Sequence, residues 1–210
     1  MNIALGVDDV YQSEPVNASE AGPAPKRIVA GYGFWIFLLS DVVMFSALFA
    51  SYAVLTKATA GGPTGAQLFS QTSAAMETAF LLVSSYTCGL MSLAVNSRHH
   101  LGTVLGAAGT FVLGAAFLTL ELSEFRNMIA IGATPQTSAF LSAFFTLVGC
   151  HGLHVAIGLI WLVLMMIQLA MWGFQPVVDR RMLCFALFWH ALDIIWVMIF
   201  TVVYLMGVLP

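Results

Sequence analysis

Long apolar runs separated by short polar breaks dominate this chain, and the runs are too long and too uniform for the one-faced helices of a soluble protein. From about residue 30 to 56 the only ionisable side chains are Asp41 and tyrosines. At about 1.5 Å per residue such a run crosses a hydrocarbon core of about 30 Å. The break Gly61-Gly62-Pro63-Thr64-Gly65 separates it from a second run over 74–96, which the basic group Arg98-His99-His100 ends. A third run covers 101–123, and a loop through Pro135 follows Glu124 and Arg126. The fourth, 138–171, is longer than a bilayer requires and is expected to tilt or protrude. Asp179-Arg180-Arg181 precedes the fifth, over 183–207. The pattern predicts an all-α, polytopic bundle of five transmembrane spans.

Composition supports that reading: 60% of residues are hydrophobic and 8% charged, too few charges to clothe a soluble surface. Residues 1–27 form a separate unit, expected to be a mobile acidic tail, with Asp8, Asp9, Glu14, Glu20 and three prolines but no periodic apolar face. Residues 28–210 form the five-helix domain. No basic leader with a cleavage site opens the chain, so Lys26 and Arg27 with the first span are expected to act as an uncleaved anchor. Lys26, Arg27, Arg98, Arg180 and Arg181 fall on one side of the predicted topology, against Lys57 and Arg126 on the other. By the positive-inside rule the N-terminus is cytoplasmic and the C-terminus external. A net charge of −3 with no basic patch excludes a nucleic-acid partner. Cys88, Cys150 and Cys184 lack disulfide or zinc spacing and read as packing residues.

The chemistry lies in the ionisable groups inside the spans, because a charge at mid-bilayer costs at least about 2.5–3.5 kcal/mol and must face protein or water. They are Asp41, Glu77, Glu121, Glu124, His151, His154, His190 and Asp193. Three pairs, Glu121/Glu124, His151/His154 and His190/Asp193, are spaced to share a helix face. Three readings stay open at this level: polar groups that hydrogen-bond across helices, a metal site built from the three histidines with carboxylates, and proton exchange with the cytoplasm at Asp41. Gly102, Gly106, Thr110 and Gly114 make a small-residue stripe for close helix approach. Trp189 and Trp196 share a face, and each indole needs a hydrogen-bond acceptor.

Several stretches carry a family resemblance: Leu38-Leu39-Ser40-Asp41-Val42-Val43-Met44-Phe45, Ser123-Glu124-Phe125, His151-Gly152-Leu153-His154-Val155 to Gly158, and Trp189-His190-Ala191-Leu192-Asp193-Ile194-Ile195-Trp196. In this order they resemble subunit III of the haem-copper terminal oxidases, over nearly everything from Gly31 onward. The larger form in that family has seven spans, and this chain begins at what would be the third. Five spans, the glycine-rich turn and the ending Val202-Val203-Tyr204-Leu205-Met206-Gly207 look most like the bacterial cytochrome o-type ubiquinol oxidase branch. Asp41 stands where many members carry Glu, which weakens any proton role carried over from the family.

The resemblance implies an accessory chain of a proton-pumping ubiquinol oxidase in aerobic respiratory electron transport, in a bacterial inner membrane. Such a chain holds no haem, copper or other metal and has no catalytic residue. It packs against a catalytic subunit I that carries the haems and copper, beside a subunit II and a small subunit IV, with phospholipid in a helix cleft. The complex oxidises ubiquinol and reduces oxygen to water, and the Asp41 region would support proton uptake. The histidine count agrees, since subunit I of such oxidases needs six intramembrane histidines and this chain has three. Two other classes compete: a stand-alone intramembrane metalloenzyme using His151, His154 and His190, and a small proton-coupled transporter, for which the chain lacks paired inverted repeats.

Overall fold

The computed structural model describes residues 26–68 and 70–208, so the acidic tail lies outside the described residues except for Lys26 and Arg27, which already belong to the first helix. The described residues are helical, with no strand among them. Helix α1 is Lys26–Leu55, α2 the short Gly65–Leu68, α3 Gln71–Asn96, α4 His100–Ala130, α5 Ala139–Trp172 and α6 Pro176–Ile199. The last continues as a π-helical segment, Phe200–Leu205, and a 3₁₀ turn, Met206–Val208. Five helices are long and apolar enough to cross a membrane: Gly31–Leu55, Gln71–Asn96, His100–Ala130, Ala139–Trp172 and Pro176–Leu205.

Helix boundaries follow local chemistry. Ser70 caps α3 by accepting from the Ser73 N–H, His99 caps α4 through Gly102, and Ser138 caps α5 through Leu141. Pro176 opens α6, where its missing N–H costs nothing. Two ends differ from the hydropathy reading. Helix α4 runs to Ala130 because Glu124 finds a partner inside the bundle and Arg126 is exposed; it stops where Gly132 adopts φ +82°. Helix α6 begins at Pro176, so Asp179, Arg180 and Arg181 lie within its first turns, where Asp179 complements the helix dipole. Between α3 and α4 the chain reverses through Arg98 at φ +53°, tied by Arg98–Asp179 (3.6 Å) and by the Arg98 guanidinium donating to the Phe174 carbonyl (3.3 Å).

Helices α3 and α4 share the most extensive interface, and α6 packs against α1, α3 and α5. Helix α6 is accordingly the most buried span and α1 the least, with Trp35 and Val43 turned outward. The core runs from Leu38, Phe45 and Tyr52 on α1 through Leu81, Cys88 and Met91 on α3 to Phe185, Trp189 and Trp196 on α6.

Candidate functional site

Hydrogen bonds between helices tie the middle of the bundle together. Trp189 Nε1 donates to Ser84 Oγ at 3.1 Å, Ser84 Oγ donates to the Thr110 carbonyl at 3.2 Å, and the Thr87 and Thr110 hydroxyls lie 2.9 Å apart. Trp196 Nε1 donates to Thr78 Oγ1 at 3.0 Å. Each indole thus meets the acceptor its burial demands. Ser84, Thr78 and Thr87 were not singled out from the sequence; a hydroxyl in an apolar run carries no marker until a donor faces it.

The stripe on α4 serves more than one neighbour. A Cβ added to Gly106 would stand 2.9 Å from the Met91 Cα and Cβ, so α3 and α4 touch backbone to backbone there. One added to Gly114 would meet the Trp189 ring at 2.8 Å and Leu159 at 3.0 Å. Gly102 lies against its own cap, His99, and against Ala94. Thr110 bridges to α3 by its hydroxyl.

The ionisable side chains divide into separate groups. His151 is wholly buried, ringed by Phe45, Phe117 and Trp196 at centroid distances of 6.4, 5.8 and 5.2 Å, and its ring nitrogens have no hydrogen-bond partner among the described residues. Its neighbour Gly152 is the floor on which Glu121 rests: a Cβ there would come within 2.5–2.9 Å of that carboxylate. His154 turns toward α1, 5.3 Å from the Phe45 ring, with Nδ1 2.7 Å from the Cys150 carbonyl, and interacts electrostatically with the half-buried Asp41. His190 shares Nδ1 between the Ser85 hydroxyl at 2.7 Å and the Asp193 carboxylate at 3.8 Å, the latter beyond hydrogen-bond reach.

Glu77, Glu121 and Glu124 lie toward the end of the bundle where α3 begins and α4 ends, close enough to interact electrostatically with one another and with Tyr204. The Tyr204 hydroxyl donates to Glu124 Oε2 at 3.0 Å. Glu77 and Glu121 are 1% and 2% exposed, and neither has a hydrogen-bond partner among the described residues. In the sequence Tyr204 figures only as part of the family-like ending; its partnership with Glu124 shows only once the π-helical segment that carries it is packed against α4.

The three histidines do not converge. Among the described residues no three His, Cys, Asp or Glu side chains form a group that could hold a metal ion, which removes the geometric basis of the metalloenzyme alternative. His151 sits in an aromatic cage, His154 faces α1 and His190 faces α3.

Comparison with known proteins bears on most of the chain. The model of the cytochrome c oxidase subunit III family matches residues 18–208. The cytochrome bo(3) ubiquinol oxidase subunit 3 of Pseudomonas aeruginosa is 49% identical over 178 residues, 85% of this chain and 85% of that one. The quinol oxidase subunit 3 of Bacillus subtilis is 43% identical over 175 residues, covering 83% of this chain and 86% of its own. A cytochrome c oxidase subunit 3 from a Bacillus species is also 43% identical over 175 residues, covering 83% and 84%.

Proposed function

The chain belongs to the cytochrome c oxidase subunit III family, and on that premise we propose that it is the non-catalytic subunit III of a haem-copper ubiquinol oxidase. The observation that carries this reading is its 49% identity, over 85% of both chains, with a ubiquinol oxidase subunit 3. In this reading haems and copper belong to subunit I, against which this chain packs, beside subunit II and a small subunit IV. The complex oxidises ubiquinol, reduces oxygen to water and pumps protons across a bacterial inner membrane.

The N-terminal side, residues 1–27 with it, is cytoplasmic, a proposal supported by the five-to-two division of Lys and Arg between the two ends of the spans. Phospholipid fills the groove between α1 and α6. What supports this is an apolar cleft of about 260 Å³ lined by Trp35, Val42, Phe45, Ile194 and Met198. Asp41 aids proton uptake from the cytoplasmic half of the span Gly31–Leu55, supported by its place beside His154 inside an otherwise apolar run. Of the remaining polar groups, Glu124 through Tyr204 and His190 through Ser85 hold helices in register.

The test is purification through an N-terminal tag in mild detergent. A b- or o-type haem spectrum, a larger histidine-rich subunit and oxygen consumption with ubiquinol are expected to accompany the chain. A chain that emerges alone with stoichiometric iron would overturn the reading. For Asp41, the Asp41→Asn complex is compared by turnover and proton-to-electron ratio. Values unchanged at neutral and alkaline pH would remove the proton role and leave the subunit assignment standing.

A further inference from the structure

His190 stands at the middle of the fifth span, Pro176–Leu205, about 21 Å from its first residue at 1.5 Å per residue. Its side chain is 44% exposed and shares the outward arc of α6 with Ile194, Val197 and Met198. At that depth the surroundings are hydrocarbon, where an unpaired polar atom is costly. The exposed imidazole calls for a polar group that the chain itself does not supply.

The neighbours decide which kind. Nδ1 lies 2.7 Å from the Ser85 hydroxyl and 3.8 Å from Asp193, whose buried carboxylate oxygens have no hydrogen-bond partner among the described residues. Two acceptors on that side place the N–H on Nδ1, with Ser85 accepting it, and leave the ring's lone pair on Nε2. Nε2 meets no partner among the described residues and is not enclosed. The imidazole lines the cleft of about 260 Å³ between α1 and α6, whose other side chains are aliphatic or aromatic apart from Ser46. The Ser46 hydroxyl already donates to the Val42 carbonyl. An apolar slot thus presents one unused acceptor nitrogen, and it runs from Trp35 to Phe49, about 21 Å along α1.

A phospholipid answers only part of this. Its acyl chains suit the slot, but its polar atoms stay at the membrane surface, far from Nε2. We propose that this level of the groove binds a prenylated quinol, a ring hydroxyl donating to His190 Nε2 and the isoprenoid tail lying along the slot beside the acyl chains. A quinol carries O–H donors on an apolar ring, whereas the quinone has only carbonyl acceptors and cannot satisfy an acceptor nitrogen. The site holds the reduced carrier and lets the oxidised one go, which keeps a reserve of quinol beside the partner that oxidises it. The choice of ubiquinol rests on the ubiquinol oxidase reading; the demand for a ring hydroxyl rests on His190 alone.

The experiment uses the intact assembly, kept anaerobic and inhibited with cyanide so that quinol stays reduced. It is labelled with a photoreactive diazirine analogue of ubiquinol, and the labelled peptides are mapped by mass spectrometry. Label is expected in the α1 and α6 peptides around Val42 and His190, displaced by ubiquinol. Ubiquinone and the dimethyl ether of ubiquinol, which lack the donor, should displace it about tenfold less well. His190→Leu should lower labelling by about tenfold, and so should Val42→Phe, which adds bulk at an exposed position of the cleft. Equal displacement by quinol, quinone and ether overturns the proposal, as does label that both variants retain. No label on this chain in an assembly that oxidises ubiquinol overturns it and leaves the subunit reading standing. An assembly that does not oxidise ubiquinol fails that reading instead, and displacement by a naphthoquinol against its dimethyl ether then decides the site. If His190→Leu does not assemble, the ether comparison on the wild type and Val42→Phe decide.

Discussion

Replacing Gly106 with alanine tests whether the α3–α4 interface is closed as tightly as its geometry requires. The new Cβ would stand 2.9 Å from the Met91 Cα, 2.9 Å from its Cβ and 3.0 Å from its nitrogen, two of these being backbone atoms that cannot rotate away. Carbon atoms settle at about 3.5–4.0 Å, so the helices must part by roughly 0.6–1.1 Å at this level. A gap of that size forfeits about a quarter to a half of the dispersion energy of the contacts it opens. Those contacts are among the tightest in the bundle, since Met91, Cys88, Thr103 and Ala107 are all buried there. The expected cost is about 1–3 kcal/mol, the range for overpacking a close interface. The matched control is Gly89→Ala on the facing helix α3, where an added Cβ meets nothing within 4 Å. That change should be neutral, or stabilising by up to about 1 kcal/mol through lost unfolded-chain entropy. Both variants are compared with wild type by reversible SDS-induced unfolding in mixed micelles. Wild-type stability in Gly106→Ala, or equal losses in both variants, would refute the argument.

Three further outcomes follow from the same geometry. Trp189→Phe removes the donor to Ser84 while keeping most of the ring, and a double-mutant cycle with Ser84→Ala should yield a coupling of roughly 0.6 kcal/mol and no more than about 1.7, read by the same unfolding assay. Gly152→Ala forces the Glu121 carboxylate off its seat and should destabilise by about 1–3 kcal/mol; adding Glu121→Ala should recover part of the loss, whereas additive losses would show that the two do not touch. Ala60 holds φ +51°, so Ala60→Gly should stabilise by up to about 1 kcal/mol, read as a raised unfolding midpoint, and a lowered midpoint would contradict the strain at this turn.

The five spans could be read from hydropathy alone because a bilayer selects each one independently. A run of some twenty apolar residues must become a helix to satisfy its own backbone, whatever its neighbours are. The same reasoning places the charged boundary groups near helix ends, but not to the residue. Hydropathy places the edge of the third span at Glu124 and Arg126, yet α4 continues to Ala130, with Tyr204 of α6's π-helical continuation donating a hydrogen bond to Glu124. Asp179, Arg180 and Arg181 read as a boundary and turned out to lie inside α6. The spacing of His151 and His154 predicts a common face, and both rings lie against Phe45 of α1, but their surroundings differ: one is caged by aromatic rings and the other interacts with Asp41. Helical spacing fixes direction to within a wide arc, and the packing of α1 against α5 decides what fills it.

Composition and periodicity were therefore enough for the spans, the five-helix bundle and the list of membrane-embedded polar groups, since each of those depends on residues near one another along the chain. Which polar groups meet depends on how helices far apart in the chain approach. The Trp189–Ser84 and Trp196–Thr78 bonds, the placing of Glu77 beside Glu124 and the scattering of the three histidines arise where α3, α4, α5 and α6 close against each other. Every helix in a membrane is apolar on most sides, so hydropathy carries little information about which face meets which neighbour. That choice rests on shape: a glycine opposite a backbone, as at Gly106, or an indole opposite a hydroxyl, as at Trp189.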